Sequence, residues 1–245
     1  MVQEFIDAYT NNHILWLISA FAFAIGYAEY IYSTRLLLAE HKAPYPAWMH
    51  TFYFAHDFTG AVVFANLALH HQFFWVFCGA SIALLVWNGF EIFNLRMAIR
   101  HERQEIWGPL YRQPVTQKQA LARVAGQIVI MFAVVNLFRV FMNDEVMFKW
   151  FCFTNVLIAV APGYLWERRG TRDGTSVGLA IVILVGTINT FLPPGLGMWT
   201  TALRYFDQPW FYIAGVITTA FAVRNVVILL RMPPKVKVEG KPLIW

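Results

Sequence analysis

Several stretches of this chain are apolar runs with almost no charge inside them, and a run of roughly 20 such residues crosses about 30 Å of hydrocarbon as a helix. Backbone polar groups at that depth must be satisfied within the segment, so the runs predict helices and exclude open sheets there. Of 245 residues 58% are hydrophobic and only 13% charged, and the charges fall almost entirely between the runs. A soluble core would not distribute them that way. The reading is an all-α, polytopic integral membrane protein with seven transmembrane helices at 15–33, 48–69, 73–97, 124–142, 148–166, 177–191 and 210–230. Only His70, His71 and Gln72 separate the second helix from the third, so one long kinked helix is the alternative.

Basic residues set the orientation. Arg35, Lys42, Arg96, Arg100, Arg103, Arg112, Lys118, Arg123, Arg168, Arg169, Arg172, Arg231, Lys235, Lys237 and Lys241 fall on one side, against Lys149 and Arg204 on the other. The positive-inside rule then predicts a cytoplasmic C-terminus and an N-terminus outside or in the lumen, which requires an odd number of spans. The formal net charge of +5 is thereby a topological signal with attraction to anionic headgroups, and no nucleic-acid partner is expected. Glu4 and Asp7 stand where a secretory signal carries Lys or Arg, so the first span is read as retained. Cys78 and Cys152 lie in predicted helices and imply buried thiols.

No soluble domain is expected: one membrane domain covers 1–233, and a cytoplasmic tail covers 234–245 after the Pro233-Pro234 stop. The longest polar stretch, 98–123, suits a cytoplasmic loop with an interfacial helix anchored by Trp107 and Tyr111.

Ionisable residues at bilayer depth cost roughly 2.5–3.5 kcal/mol each on insertion scales, so each is a functional candidate. They are Glu29, His56, Asp57, Glu91, Arg139 and Arg224, joined by the neutral Asn66, Asn88, Asn94, Asn136, Asn155, Asn189 and Asn225. Glu29 and Arg139 sit near predicted helix ends, within snorkelling reach of the headgroups. Asp57 lies too deep for that. Trp87 and Glu91 share a helical face at a spacing of four, as do Glu91 and Asn94 at three. A polar pocket from the second, third and seventh spans is the simplest geometry, with Asp57 and Glu91 as catalytic candidates and His56, Trp87, Asn88, Arg224 and Asn225 around the substrate. Buried ion pairing with a structural purpose is the competing reading. No cofactor or metal is expected: a bis-His haem needs a second deep His beside His56, and a retinal needs a Lys within a helix.

The segment "RGTRDGTS" joins the fifth and sixth predicted spans. Read by itself it is a tight turn in which Gly170 and Gly174 supply backbone freedom and Ser176 caps the next helix. It also resembles the Arg-Gly-x-x-x-Gly-x-Ser signature of the seven-helix membrane terpene cyclases of fungal meroterpenoid and indole-diterpene biosynthesis, through Arg169, Gly170, Gly174 and Ser176. Trp87, Glu91, Arg100, Glu105 and Trp107 fall where that family carries a Trp, an acid or amide, a basic residue and an acid-Trp pair, and the likeness runs over nearly the whole chain. The departures are definite. His56-Asp57 stands in place of a Trp-Glu pair, and Ala222, Arg224 and Asn225 occupy the stretch that usually supplies a second acid.

The resemblance implies a membrane-embedded cyclase or other isomerase or lyase of secondary metabolism, acting on a hydrophobic prenylated or polyketide-like small molecule, in the endoplasmic reticulum if the cell is eukaryotic. Aromatic faces would stabilise cationic centres and an intramembrane carboxylate would move the proton. An Arg224 in contact with Asp57 would keep that carboxylate ionised and turn it toward base or binding duty. A small-metabolite transporter and an assembly subunit, with Arg139 and Arg224 meeting another chain's acids, are the alternatives; no paired repeat with broken helices is visible to favour the transporter.

Overall fold

The computed structural model describes residues 1–235 and 243–245; Lys237, Lys241 and most of the expected tail lie outside the described residues. Among the described residues there is no strand. The helices are α1 (Val2–Asn11), α2 (His13–Glu40), α3 (Ala47–His70), α4 (Trp75–Met97), α5 (Arg103–Trp107), α6 (Gln117–Phe141), α7 (Phe148–Arg169), α8 (Val177–Thr190), α9 (Met198–Ala202) and α10 (Pro209–Arg231). Six stretches are long and apolar enough to cross a membrane: α2, α3, Trp75–Leu110, α6, α7 and α10. They mark a multi-pass membrane protein. Much of their apolar surface is bare, as at Leu17, Val129, Phe141 and Val216, where lipid tails rather than protein complete the packing.

The expected domain contains two compact units, Met1–Ser33 with Phe148–Trp245, and Thr34–Met147. In the first unit α7 and α10 run parallel. Phe148, at the start of α7, meets Phe206 just ahead of α10, with ring centroids 6.5 Å apart. At the far ends Arg172 donates to the carbonyls of Leu229 (2.7 Å) and Met232 (3.0 Å), closing the C-terminus of α10. Helix α8 runs back between those ends. Its Gly178 lies against the Tyr32 hydroxyl of α2, and Phe191 after its last turn meets Phe211 of α10 at 4.8 Å. With 14 residues it is about 21 Å long, short of the hydrocarbon thickness. The amphipathic α1 buries Phe5 against Phe148 (5.0 Å, edge-on), while Tyr9 hydrogen-bonds Ser19 at 2.7 Å. Burial pushes the Tyr9 phenol above its ordinary range, with the Ser19 bond pulling the other way, so it stays neutral.

In the second unit α3 and α4 form an antiparallel hairpin and α6 lies along α3, Phe132 meeting Phe54 and Phe58 edge-on. Positive φ at Gln72 and Phe73 and the bond from Phe73 N to Ala68 O (2.8 Å) make a genuine turn, which excludes the single kinked helix. The expected interfacial helix is replaced by a continuation of α4. A π-helical turn, Ala98–Glu102, leads into α5 without a break. Trp107 is buried there with Leu95, Val115, Ala120 and Val124 and so fills a small core instead of anchoring at the headgroups. A Thr116–Gln119 capping box starts α6 seven residues ahead of the expected Val124. Helix α2 likewise runs past Ser33 to Glu40. Eleven further residues, about 16 Å of helix, separate Glu29 from the C-terminal end of α2.

Candidate functional site

Close contact between α3 and α4 begins with small residues. Ala55, Gly60, Ala61 and Ala68 line α3, and Ser81 of α4 donates to the Ala61 carbonyl at 2.9 Å, which brings the two backbones near. Three contacts define the register: His50 with Glu91, Ala61 with Ser81, and Phe64 with Phe77. The paired numbers sum to 141 or 142 throughout, so the residue level with Asp57 is Leu84.

Two histidine–carboxylate pairs lie on this seam. His50 Nδ1 is 2.6 Å from Glu91 Oε2, and His56 Nδ1 is 2.8 Å from Asp57 Oδ1, with all four side chains at most 2% exposed. The neighbouring-residue pair forms because adjacent side chains at the end of the third turn of α3 turn toward one another; the His50–Glu91 pair depends on the hairpin register. Seven residues separate His50 from Asp57, which places both on one face of α3 about 10 Å apart along its axis. Asp57 and Glu91 are therefore two stations on one seam and share no hydrogen bond in the manner of an acid dyad. Each pair brings a ring nitrogen and a carboxylate oxygen within hydrogen-bonding distance in a buried setting, the arrangement through which a proton can pass.

The level between the stations is polar too. Asn88, 5% exposed, donates from Nδ2 to Leu84 O at 3.1 Å. Asn94 is fully buried one turn beyond Glu91. Trp87 stands partly buried on the same helix. Phe52 stacks on His56 at 5.9 Å and Tyr45 meets His50 edge-on at 5.9 Å, so aromatic faces border both stations. Glu102, on the π-turn and 3% exposed, accepts from Ala43 N at 2.9 Å and ties the preceding loop to the end of α4.

His50 was missed in the sequence reading, which started the helix at Trp48 and left His50 at its edge. Its spacing of seven from Asp57 was the available signal. His50 lies in the first turn of α3, and its spacing of six from His56 puts the two rings on different faces of the helix. Among the described residues no three His, Cys, Asp or Glu side chains gather as a metal site.

Arg224 and Asn225 sit in the first unit with partners on α7. Arg224 Nη2 donates to Glu167 at 2.6 Å, and the guanidinium lies over the Tyr164 ring at 5.2 Å. Asn225 donates to Ala159 O at 2.8 Å, one turn from Pro162, which interrupts the backbone ladder of α7. A Cβ on Gly163 would overlap the Asn225 amide, so the glycine is what lets α10 approach.

The "RGTRDGTS" loop is explained by its conformation. Gly170 (φ 65°) closes α7 with a bond from its N to Trp166 O at 3.0 Å, and open space around it shows that the demand is for the left-handed backbone. Gly174 (φ 72°) turns the chain, and Ser176 accepts from Leu179 N at 3.0 Å to cap α8. Arg169 ends α7, while Arg100 and Glu105 are exposed on the continuation of α4. No family model, no characterised protein and no solved structure matches the chain.

Proposed function

We propose that this protein is a membrane-embedded cyclase or isomerase acting on a hydrophobic small molecule, prenylated or polyketide-like, in a natural-product pathway. The observation that carries the reading is the pair of buried histidine–carboxylate stations on the α3–α4 seam. Asp57 delivers or removes a proton at an olefin or epoxide, with His56 as its proton partner. Glu91, positioned by His50, serves the second proton transfer, so that the product keeps the substrate's mass. Aromatic side chains such as Phe52 and Trp87 offer faces to cationic centres. The distant likeness to seven-helix terpene cyclases supports the same chemistry.

The topology proposed is seven crossings with the N-terminus outside or lumenal and the C-terminus cytoplasmic, in the endoplasmic reticulum if the cell is eukaryotic. The parallel course of α7 and α10 supports it, because the chain returns between them through α8. A proton-coupled carrier of a small metabolite is the second reading, favoured by stations that follow one another along a helix axis. The assembly-subunit reading called on Arg139 and Arg224 as partners for another chain, and of these Arg224 has Glu167 of its own chain.

Membranes with wild-type protein or Asp57→Asn, matched for folded protein, are incubated with prenylated phenols and their epoxides and read by mass spectrometry. The expected result is a product of unchanged mass that disappears in the variant. A product heavier by water replaces isomerisation with hydration, and no turnover by either protein overturns the enzyme reading in favour of the carrier.

A further inference from the structure

Three consecutive turns of α4 carry Asn88, Glu91 and Asn94 toward the interior, and polar atoms around Glu91 lack partners. Asn94 is 0% exposed, and neither its Oδ1 nor its Nδ2 makes a hydrogen bond among the described residues. The same holds for Asn88 Oδ1 and for His50 Nε2, the far nitrogen of the ring that meets Glu91. Buried amides are ordinarily satisfied, and an orphaned one costs stability. Leucine at position 88 or 94 would suit an apolar hairpin better. The retained set consists of two amide acceptors, one amide donor and one ring nitrogen, all within a turn of a carboxylate.

We infer that this part of the seam is a subsite for the polar end of an amphiphilic ligand, a hydroxyl-bearing head that both donates and accepts. Its O–H serves an orphaned Asn oxygen and its oxygen accepts from Asn94 Nδ2, while the hydrophobic remainder extends along the seam toward Asp57. The inference rests on the enzyme reading for its ligand class: a phenol or alcohol carrying a prenyl-like chain, with the head at Glu91 and the chain reaching the second station about 10 Å away. A water molecule can satisfy the same atoms, and the two occupants differ in what they do to ligand selectivity.

The test uses the full chain in lipid nanodiscs and equilibrium binding of a radiolabelled farnesylated phenol, with its O-methyl ether and the matching hydroxyl-free hydrocarbon as competitors. The phenol is expected to bind at least tenfold more tightly than the ether, which has lost the donor. Asn94→Leu brings the phenol down to the ether's affinity, leaves the ether's affinity in place, and melts no lower than wild type because the orphaned amide is gone. Asn88→Leu, read in the same way, gives a second variant, and the wild-type comparison needs none. Equal binding of phenol and ether by the wild type, or discrimination that survives in both variants, overturns the subsite and leaves the asparagines to water. Turnover in the same preparations separates the two claims: discrimination without turnover keeps the subsite and removes the enzyme, whereas turnover without discrimination does the reverse.

Discussion

Polar side chains at membrane depth occur in both units, and they are used in opposite ways. Along α7 and α10, Asn225 ties to a carbonyl near Pro162 and Arg224 to Glu167, and beyond the end of α7 Arg172 holds the last carbonyls of α10. Along α3 and α4 the histidines face carboxylates, and the asparagines beside them keep unused hydrogen-bonding capacity. The Oδ1 of Asn225 and the Nη1 of Arg224 also lack partners, but each side chain is anchored through another nitrogen; Asn94 is anchored through neither atom. In an apolar span a satisfied polar group reads as structure, and one with capacity left over reads as a site.

The largest effect expected would break this comparison by chemistry. Asp57→Asn should lower product formation by about a hundredfold or more, the scale of a lost general acid or base, with the melting temperature nearly unchanged. Arg224→Gln should leave product formation within about twofold, since its ion pair and ring contact are with Glu167 and Tyr164 of α7 and their loss falls on stability. Equal losses of turnover in both variants would erase the distinction between the regions.

Next in size is the packing of α7 on α10. Gly163→Ala drives a Cβ into the Asn225 amide and should cost about 3 kcal/mol, the upper range for overpacking. Asn225→Ala in the same chain should recover most of that cost in thermal unfolding, because the obstruction is removed. Product formation per folded molecule should be unaffected by either change.

Six of the seven expected spans are helices long and apolar enough to cross a membrane, because apolar runs of this length have few other fates; the seventh, at 177–191, is the 14-residue α8. Their ends were less legible, for identifiable reasons. Arg35 looked like the exit of the first span, but Leu36, Leu37 and Leu38 continue behind it, and Leu36 and Leu37 are fully buried. The Thr116-x-x-Gln119 cap was visible and signals a start that hydropathy alone puts at Val124. At the site, Asp57 and Glu91 announced themselves as charges in lipid. Their separation did not, since it depends on the hairpin register, which no single-helix periodicity contains. His50 was hidden because it lies only two residues inside the expected start at Trp48, and its partner Glu91 is fixed by the hairpin register. Arg224 and Asn225 were grouped with the acids because both are polar and deep; the close approach that brings Asn225 to Ala159 depends on Gly163, and Arg224 meets Glu167 and Tyr164, partners that no single-helix pattern announces.

A smaller effect sharpens the structural half of the comparison. Arg172→Gln removes charged donors from the carbonyls of Leu229 and Met232 and should cost about 1.5 kcal/mol, at the low end for hydrogen bonds to a charged group. Hydrogen exchange should quicken in the last turn of α10 and stay as slow as before in α3 and α4. Quickened exchange in α3 would mean that the end of α10 supports the seam as well.

The smallest effect concerns the loop through which the resemblance to terpene cyclases first enters. Ser176 is 1% exposed and its hydroxyl satisfies Leu179 N at the start of α8. Ser176→Ala leaves that donor without its cap and should cost about 1 kcal/mol, whereas Ser176→Thr, which can make the same bond, should recover most of it. If the loop matters only as a turn, both variants convert substrate at the wild-type rate once matched for folded protein. A fall in turnover with Ser176→Ala at unchanged melting temperature would give the signature a part in the reaction. It would also move the first unit, so far a scaffold of capped and tied helices, into the chemistry.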